Sequence, residues 1–222
     1  MGEAITRRFV EKGWTVHAVA RDASSLQKFA DELGVVPHAV DLRDLAALTA
    51  AVSGLEVEVF VNCAGVSRQG NILDSTPDDL DSLVDVNLRA VLHLTRILLP
   101  GMVERDRGHI INISSIAGIY NFFGHTAYHA TKAAVHQLSR QIRNDTVGRR
   151  IRVTEICPGR VETEIFGRKS RRYPRGSAAG VGHLLRGVRV ADHRRHRRVG
   201  RLRRLGPAAH ERVDDRDPAD VP

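Results

Sequence analysis

The sequence lacks any apolar run approaching the roughly 18 residues that a membrane-spanning helix requires. Its first residues, MGEAITRRFVEKG, also lack the apolar core of a signal peptide. Cysteine is scarce, and Cys63 and Cys157 lie in apolar runs whose spacing indicates neither a disulfide framework nor a zinc site. We therefore expect a soluble, cytoplasmic protein in a reducing compartment, with no membrane association and no bound metal.

The positive charge of the chain is confined to its end. The formal net charge is +8, yet residues 168–222 hold 15 Arg and 1 Lys against 6 acidic residues, whereas residues 1–167 carry a net −2. A disordered basic tail of this kind can bind nucleic acid through phosphates. We consider nucleic acid an unlikely partner, however, because the tail contains only one Tyr and one Lys and has no apolar periodicity.

The tail has a second interpretation, a frameshift in a GC-rich gene, whose shifted codons would be rich in Arg, Gly, Ala and Pro. Permitted codons for residues 213–222, read one base on, can encode Ser-Thr-Thr-Val-Ile-Leu-Pro-Thr-Ser, a strand followed by a turn. This favours the frameshift over the binding tail. The nucleotide sequence distinguishes the two, because early stops in the shifted frame would exclude the frameshift.

Strand and helix patterns alternate through residues 1–167. The predicted strands are 15–20, 35–40, 57–61, 109–114 and 151–157. The predicted helices are 2–12, 24–33, 44–52, 76–104 and 126–147. Such alternation with short connections predicts a single α/β domain, in which helices cover both faces of a doubly wound, Rossmann-like parallel sheet.

Three positions with proline refine this prediction. Pro37 places the strand at 35–40 near an edge of the sheet, because proline cannot donate a ladder hydrogen bond. Thr76 and Pro77 are typical of the start of a helix, and Pro100 indicates a bend within the long helix that follows.

The carboxyl ends of several predicted strands coincide with turn-forming and polar residues: Asn62 to Gly65, Ser114-Ser115 and Pro158-Gly159. In open α/β sheets the chemistry gathers at this edge. Tyr128 and Lys132 lie four residues apart on the helix that follows, on one face and one turn from each other. A lysine there can favour the phenolate and lower the pKa of the tyrosine.

Four segments in this order, VNCAG (61–65), Asn87, NISSIAG (112–118) and YHATK (128–132), resemble the short-chain dehydrogenase/reductase family. The resemblance extends over about residues 2–167 and is closest to the NADP-dependent 3-hydroxy acid, serine-type dehydrogenases. Ser115 precedes Tyr128 by 13 residues, as in that family. Each segment alone is weak; their joint order and spacing are specific.

The resemblance implies a catalytic role for four residues. Tyr128 would be the general acid/base and would also contact the cofactor, and Lys132 would lower its pKa and bind the nicotinamide ribose. Ser115 would donate a hydrogen bond to the substrate oxygen, and Asn87 would hold a water linking Lys132 to solvent. The alternatives are a turn serine, a buried amide bonded to a main-chain carbonyl, and a surface tyrosine–lysine pair.

The resemblance also implies contacts with a nicotinamide cofactor. Asn62, Ala64 and Gly65 would border the adenosine ribose, and Asp41 would hold the adenine amino group. Gly2 matches the end of the glycine-rich turn that lets a backbone approach the pyrophosphate in this family.

Cofactor choice rests on Arg21, which ends the strand at 15–20. A basic residue there accommodates the 2′-phosphate of NADP, whereas an acid would bind the 2′-hydroxyl of NAD. Asp22 follows directly, and an exposed loop arginine is the alternative. NADP is therefore favoured over NAD. Pro158, Gly159 and Thr163 resemble the segment over the nicotinamide carboxamide.

The chain departs from the family at both ends. Met1-Gly2 matches only the last two positions of the family's T-G-x-x-x-G-x-G turn, and the strand before that turn is missing. Because that strand is central in such sheets, its loss predicts a gap between the strands at 15–20 and 57–61. Met1 is then interpreted as an internal methionine of a longer reading frame. At the other end, the family's substrate-covering segment and last strand are replaced by the basic tail.

The leading hypothesis is an NADP-dependent oxidoreductase for a small hydroxy acid or a related alcohol or ketone, with a homodimer or homotetramer expected from the resemblance. A catalytically impaired fragment is the alternative, as is a protein that binds nucleic acid or another polyanion through its basic tail. The substrate itself cannot be read from these residues.

Overall fold

The computed structural model describes residues 1–161. Within them, the strands are His17–Ala20 (β1), Val36–Ala39 (β2), Val59–Asn62 (β3), Gly108–Ile113 (β4) and Ile151–Ile156 (β5). The α-helices are Gly2–Glu11 (α1), Ala23–Leu33 (α2), Leu45–Val52 (α3), Pro77–Val84 (α4), Ala90–Glu104 (α5) and Thr126–Asp145 (α6). The alternation confirms the predicted α/β class.

The strands form two parallel sheets rather than one. β1 pairs with β2 in one sheet, and β4 lies between β3 and β5 in the other. The expected gap is therefore confirmed, because none of the described pairings joins β1 to β3. The edge position predicted from Pro37 is also confirmed, since among the described strands β2 pairs with β1 alone.

Local chemistry accounts for the helix boundaries. Asp22 accepts hydrogen bonds from the main-chain N–H groups of Ser24 and Ser25, and Asp44 does the same for the first turn of α3. α2 ends at Gly34, whose φ of 71° is the left-handed conformation that glycine adopts readily. Thr76 caps α4 and Pro77 is its first residue, as predicted.

The long helix predicted over 76–104 is interrupted, but at another place than Pro100. A π-helical turn at Asp85–Arg89 separates α4 from α5, while Pro100 lies inside α5. A π turn carries one extra residue in the helix and therefore changes the direction of the side chains around it. Hydrophobic spacing does not reveal it. Asn87 lies in this turn.

Two apolar clusters hold the strands and helices together. In the first, Leu48 of α3 and Leu94 of α5 pack with the partly buried Val19 of β1 and Phe60 of β3, so these two helices contact both sheets. In the second, Met102 and Ile142 pack against Ile110 of β4 and Val153 of β5. Burial of these side chains at about 25 cal/mol per Å² is the main term holding the sheets in place.

Two further expectations concern the domain boundary and membrane association. The proposed boundary between residues 1–167 and 168–222 lies outside the described residues, as does the basic tail. Among the helices that the structure describes, none is long and apolar enough to cross a membrane.

Candidate active site

The three predicted turn segments meet at one edge of the β3–β4–β5 sheet. Asn62 pairs in register with Asn112, and Ile113 pairs with Ile156, so the strands end side by side. The loops beyond them are also joined, because the N–H of Ile116 donates to the carbonyl of Pro158 at 3.1 Å. The carboxyl-edge placement expected from the sequence is thus what the structure shows.

Ser115 begins a short 3₁₀ turn directly after β4. Its hydroxyl oxygen accepts a hydrogen bond from the N–H of Ala117 at 3.1 Å, which fixes the side chain at the start of the turn. The Ser115 side chain also interacts with the Tyr128 phenol and acts to lower its pKa against the effect of burial. The serine–tyrosine pair predicted from a 13-residue spacing is therefore brought together by the packing of this turn on α6.

Burial controls the ionisation of Tyr128. The side chain is 7% exposed, and this desolvation raises the pKa of the phenol, while the hydrogen bond with Ser115 acts in the opposite direction. The direction differs from the expectation that Lys132 lowers this pKa. The Lys132 ammonium lies 5.7 Å from the centroid of the tyrosine ring, over its face.

The Lys132 ammonium is directed toward the sheet. Its Nζ donates to the carbonyl of Ile113, the last residue of β4, at 3.0 Å. The residue is 5% exposed, and burial lowers the pKa of its ammonium, opposed by the charges of Cys63, Cys157 and Glu155. Lys132 thus connects α6 to the end of β4 and lies next to the end of β3.

Asn87 joins three segments through one amide. Its Oδ1 accepts from the N–H of Val66 at 2.8 Å, and its Nδ2 donates to the carbonyl of Val66 at 2.9 Å and to Oγ1 of Thr131 at 3.2 Å. The π turn aims this amide at the loop after β3 and at α6. The contacts match the alternative interpretation, a buried amide bonded to the main chain.

Two glycines allow the loops to approach these side chains. A Cβ on Gly118 would lie 2.6 Å from the carbonyl oxygen of Lys132, so only glycine permits the turn after β4 to contact α6. A Cβ on Gly65 would lie 3.2 Å from Oδ1 of Asn87. Gly65 was predicted as a site residue, but Gly118, although part of the quoted NISSIAG segment, was not. Gly118 is identified by the close approach of its main chain to that of Lys132, which the sequence alone does not show.

The start of α1 lies near the end of β3. A Cβ on Gly2 would lie 3.8 Å from Sγ of Cys63. Burial raises the pKa of the Cys63 thiol, while the positive charges of the chain terminus and of Lys132 lower it. The amino-terminal end of a helix, which favours anions, thus lies close to Lys132.

Asn62 and its neighbours differ in burial and in the hydrogen bonds that their side chains make. Nδ2 of Asn62 donates to Oδ1 of Asn112 at 2.7 Å, and Asn112 donates in turn to Ser139 at 2.8 Å, so this amide belongs to a buried polar chain. Ala64 is exposed and Gly65 is half-buried. Ala64 and Gly65 therefore present main chain rather than side-chain functional groups at the site.

Arg21 and Asp41 follow β1 and β2 at the carboxyl edge of the smaller sheet. Both carboxylate oxygens of Asp41 accept hydrogen bonds from the Arg43 guanidinium, the shortest at 2.6 Å. These bonds lower the pKa of Asp41 to about 2, with a smaller contribution from the charge of Arg21. Arg43 was not predicted as a site residue, although its position two residues after Asp41 allows the pairing.

The remaining predicted cofactor residues follow β5. Pro158 is half-buried and accepts the hydrogen bond from Ile116, and Gly159 is exposed. Thr163 lies outside the described residues.

Comparisons with known proteins agree with this arrangement. Residues 1–174 match the family model described as short chain dehydrogenase. The chain is 42% identical over 168 residues to the NADP-dependent 3-hydroxy acid dehydrogenase YdfG of Salmonella typhi, which covers 72% of this chain and 68% of that protein. It is 37% identical over 171 residues to serine 3-dehydrogenase of Rhizobium radiobacter, covering 73% and 68%.

Solved structures show the same relationship. The crystal structure of serine dehydrogenase from Escherichia coli superposes with a TM-score of 0.69 at 39% identity, over 71% of this chain and 77% of that chain. A closed form of serine dehydrogenase complexed with NADP⁺ gives the same TM-score and identity, over 71% and 67%. The chain therefore belongs to the short-chain dehydrogenase/reductase family of oxidoreductases.

Proposed function

We propose that this chain transfers a hydride between NADP(H) and a small hydroxy acid, or a related alcohol or ketone, with Tyr128 as the general acid/base. The observation that carries the proposal is the placement of Ser115, Tyr128 and Lys132 together at the carboxyl edge of a parallel sheet, where Ser115 acts to lower the pKa of the buried Tyr128 phenol. The relatives named for 3-hydroxy acids and for serine support the substrate class.

The pair suits proton transfer to a ketone oxygen. Because burial raises its pKa, the Tyr128 phenol is protonated at neutral pH and can donate. The Ser115 hydroxyl donates a second hydrogen bond to the same oxygen, where negative charge develops in the transition state. In the direction of alcohol oxidation the phenolate is required, and the nearby Lys132 ammonium stabilises it.

The residues present fit NADP(H), which supplies or accepts the hydride when bound. The start of α1 and the Lys132 ammonium form a positive region beside the end of β3, as an anionic pyrophosphate and ribose require. Arg21 offers a cation at the end of β1 for the 2′-phosphate. The relative complexed with NADP⁺ supports the preference for NADP over NAD.

We extend the proposal to the other predicted contacts. Asn62, Ala64 and Gly65 border the adenosine ribose, and Asp41, held by Arg43, accepts from the adenine amino group. Pro158 and Gly159 would border the carboxamide, and the matching contact of Thr163, outside the described residues, stays a sequence prediction.

Asn87 positions the loop after β3 and holds the predicted water beside Lys132. We also propose that the protein is a homodimer or homotetramer and that it acts in the cytoplasm.

The test is a steady-state assay of the full chain. NADPH oxidation is measured with short 3-keto acids, and NADP⁺ reduction with serine and short 3-hydroxy acids. We expect turnover with NADPH in preference to NADH. Cofactor binding without turnover would favour the catalytically impaired fragment over the enzyme, and salt-sensitive nucleic-acid binding without cofactor binding would favour the polyanion-binding protein.

A further inference from the structure

Three side chains that the proposed reaction does not use converge where β5 ends against α6. They are His136 of α6, and Glu155 and Cys157 at the end of β5. Each offers one ligand atom, and the three atoms lie within 4.8 Å of one another. Nδ1 of His136 lies 2.7 Å from Oε2 of Glu155. The cluster lies on two elements that are distant in sequence, so spacing along the chain does not reveal it.

Glu155 gives an independent indication that this cluster binds something. The residue is only 7% exposed, and its Oε1 has no hydrogen-bond partner among the described residues. Buried carboxylates are normally paired through both oxygens, because an unsatisfied buried charge costs several kcal/mol by general estimates. His136 satisfies one oxygen and leaves the other without a donor. A cation between the three side chains would satisfy it.

We propose that His136, Glu155 and Cys157 form a binding site for a divalent transition-metal ion, of which zinc fits best. An imidazole nitrogen, a carboxylate oxygen and a sulfur are the ligands that zinc takes in proteins, and three protein ligands leave a fourth position for water. Magnesium and calcium are disfavoured, because both prefer sites made entirely of oxygen ligands.

The geometry requires small shifts in the cluster: the 2.7 Å contact between His136 and Glu155 must open by about 0.6 Å, and the longest separation must close. Zinc ligand distances of about 2.0–2.3 Å place tetrahedral ligand atoms about 3.3–3.8 Å apart. The largest separation here is no more than 4.8 Å, so a shift of about 1 Å by one side chain suffices. His136 has room for it, since its side chain is 31% exposed. A bound ion would tie α6 to the end of β5.

The test uses cobalt(II) as a spectroscopic probe of the full chain. A Co²⁺–thiolate bond produces a charge-transfer band in the near ultraviolet, and tetrahedral coordination produces strong d–d bands in the visible. Because the sequence contains only two cysteines, one serine variant of each is enough to assign the charge-transfer band to a residue. We expect the charge-transfer band in the unmodified chain and in Cys63→Ser, and its loss in Cys157→Ser. Histidines in the tail cannot produce it, because residues 162–222 contain no cysteine.

A second measurement does not depend on replacing a half-buried cysteine. Zinc affinity is measured by competition with a chromophoric chelator in His136→Gln and in His93→Gln, a histidine of α5 outside the cluster. Loss of a ligand should weaken binding at least about tenfold in the first variant and leave the second unchanged. Absence of the charge-transfer band, its persistence in Cys157→Ser, or equal zinc affinity of the two histidine variants would each overturn the proposal.

Discussion

At the scale of single residues, burial sets the charge state of the two side chains central to the proposed reaction. It raises the pKa of Tyr128 and lowers the pKa of Lys132, so both shifts oppose the ionised form. The hydrogen bond with Ser115 and the acidic neighbours of Lys132 act against these shifts. The Tyr128 phenol is therefore neutral in the resting protein, and its proton is available for transfer.

Removal of the Tyr128 hydroxyl tests this role directly. In Tyr128→Phe we expect kcat for ketone reduction to fall by about 100-fold or more, which is the usual contribution of a positioned acid/base. Affinity for NADPH should change little. Tyr120→Phe is the matched control, because Tyr120 is 51% exposed and follows the same 3₁₀ turn. Steady-state kinetics and fluorescence titration give the two readouts. Equal losses in both variants would exclude the proposed role.

The Arg21 side chain tests the choice of cofactor. A charge-assisted hydrogen bond to a phosphate is worth about 1.5–3 kcal/mol, so Arg21→Ala should weaken NADPH binding by about 10- to 100-fold. NADH binding should be unaffected, since it lacks the 2′-phosphate. Arg89→Ala, a surface arginine paired with Asp85, is the control. An equal effect of Arg21→Ala on both cofactors would contradict the assignment.

At the scale of elements, the π turn determines which way Asn87 points. Sequence predicted a continuous helix here, because apolar spacing on either side of the turn is compatible with one helix. The extra residue is stabilised by the contacts of the Asn87 amide with Val66 and Thr131, which are long-range and absent from any local pattern. The residue was predicted from a motif. The element that holds it was not.

Asn87→Asp tests the amide with almost no change in volume. The carboxylate loses both donated hydrogen bonds and places a charge next to the Val66 carbonyl, so we expect a loss of about 3 kcal/mol in the free energy of unfolding. Asn121→Asp, at an exposed loop position, should change it by less than about 0.5 kcal/mol. Chemical denaturation measures both. Similar midpoints for the two variants would argue against the contacts described.

The close contact at Gly118 gives a second test of an element. Gly118→Ala places a Cβ against the main chain of Lys132, and overpacking of this kind costs about 1–3 kcal/mol. The turn carrying Ser115 must then move away from α6, so turnover should fall as well. In Gly101→Ala the new methyl group lies 3.1 Å from Nη1 of Arg105, whose Nη2 donates to the carbonyl of Val57, and the helix gains a better helix former, so stability should change by less than about 1 kcal/mol. Thermal unfolding together with the reductase assay distinguishes the two substitutions.

At the scale of the whole molecule, sequence patterns were sufficient to locate the strands but not the contacts that connect the elements. Apolar runs and capping residues located all five described strands, and the absence of a strand before α1 predicted the gap between β1 and β3. Three-dimensional proximity explains what was missed. Thr131 on Asn87 is identified only once the elements are packed, whereas Arg43 on Asp41 is a local contact whose partner the sequence leaves open.

The division into two sheets predicts uneven stability across the molecule. β4 is hydrogen-bonded on both sides and its Ile110 is fully buried, whereas β1 and β2 pair only with each other among residues 1–161. Amide exchange depends on opening of these bonds, so β4 should exchange most slowly and β1 and β2 several orders of magnitude faster. Hydrogen exchange followed by mass spectrometry of the full chain measures this ranking. Equal protection of β1 and β4 would contradict this expectation. It would mean that the two sheets open as one unit, as they would if β1 and β3 were joined.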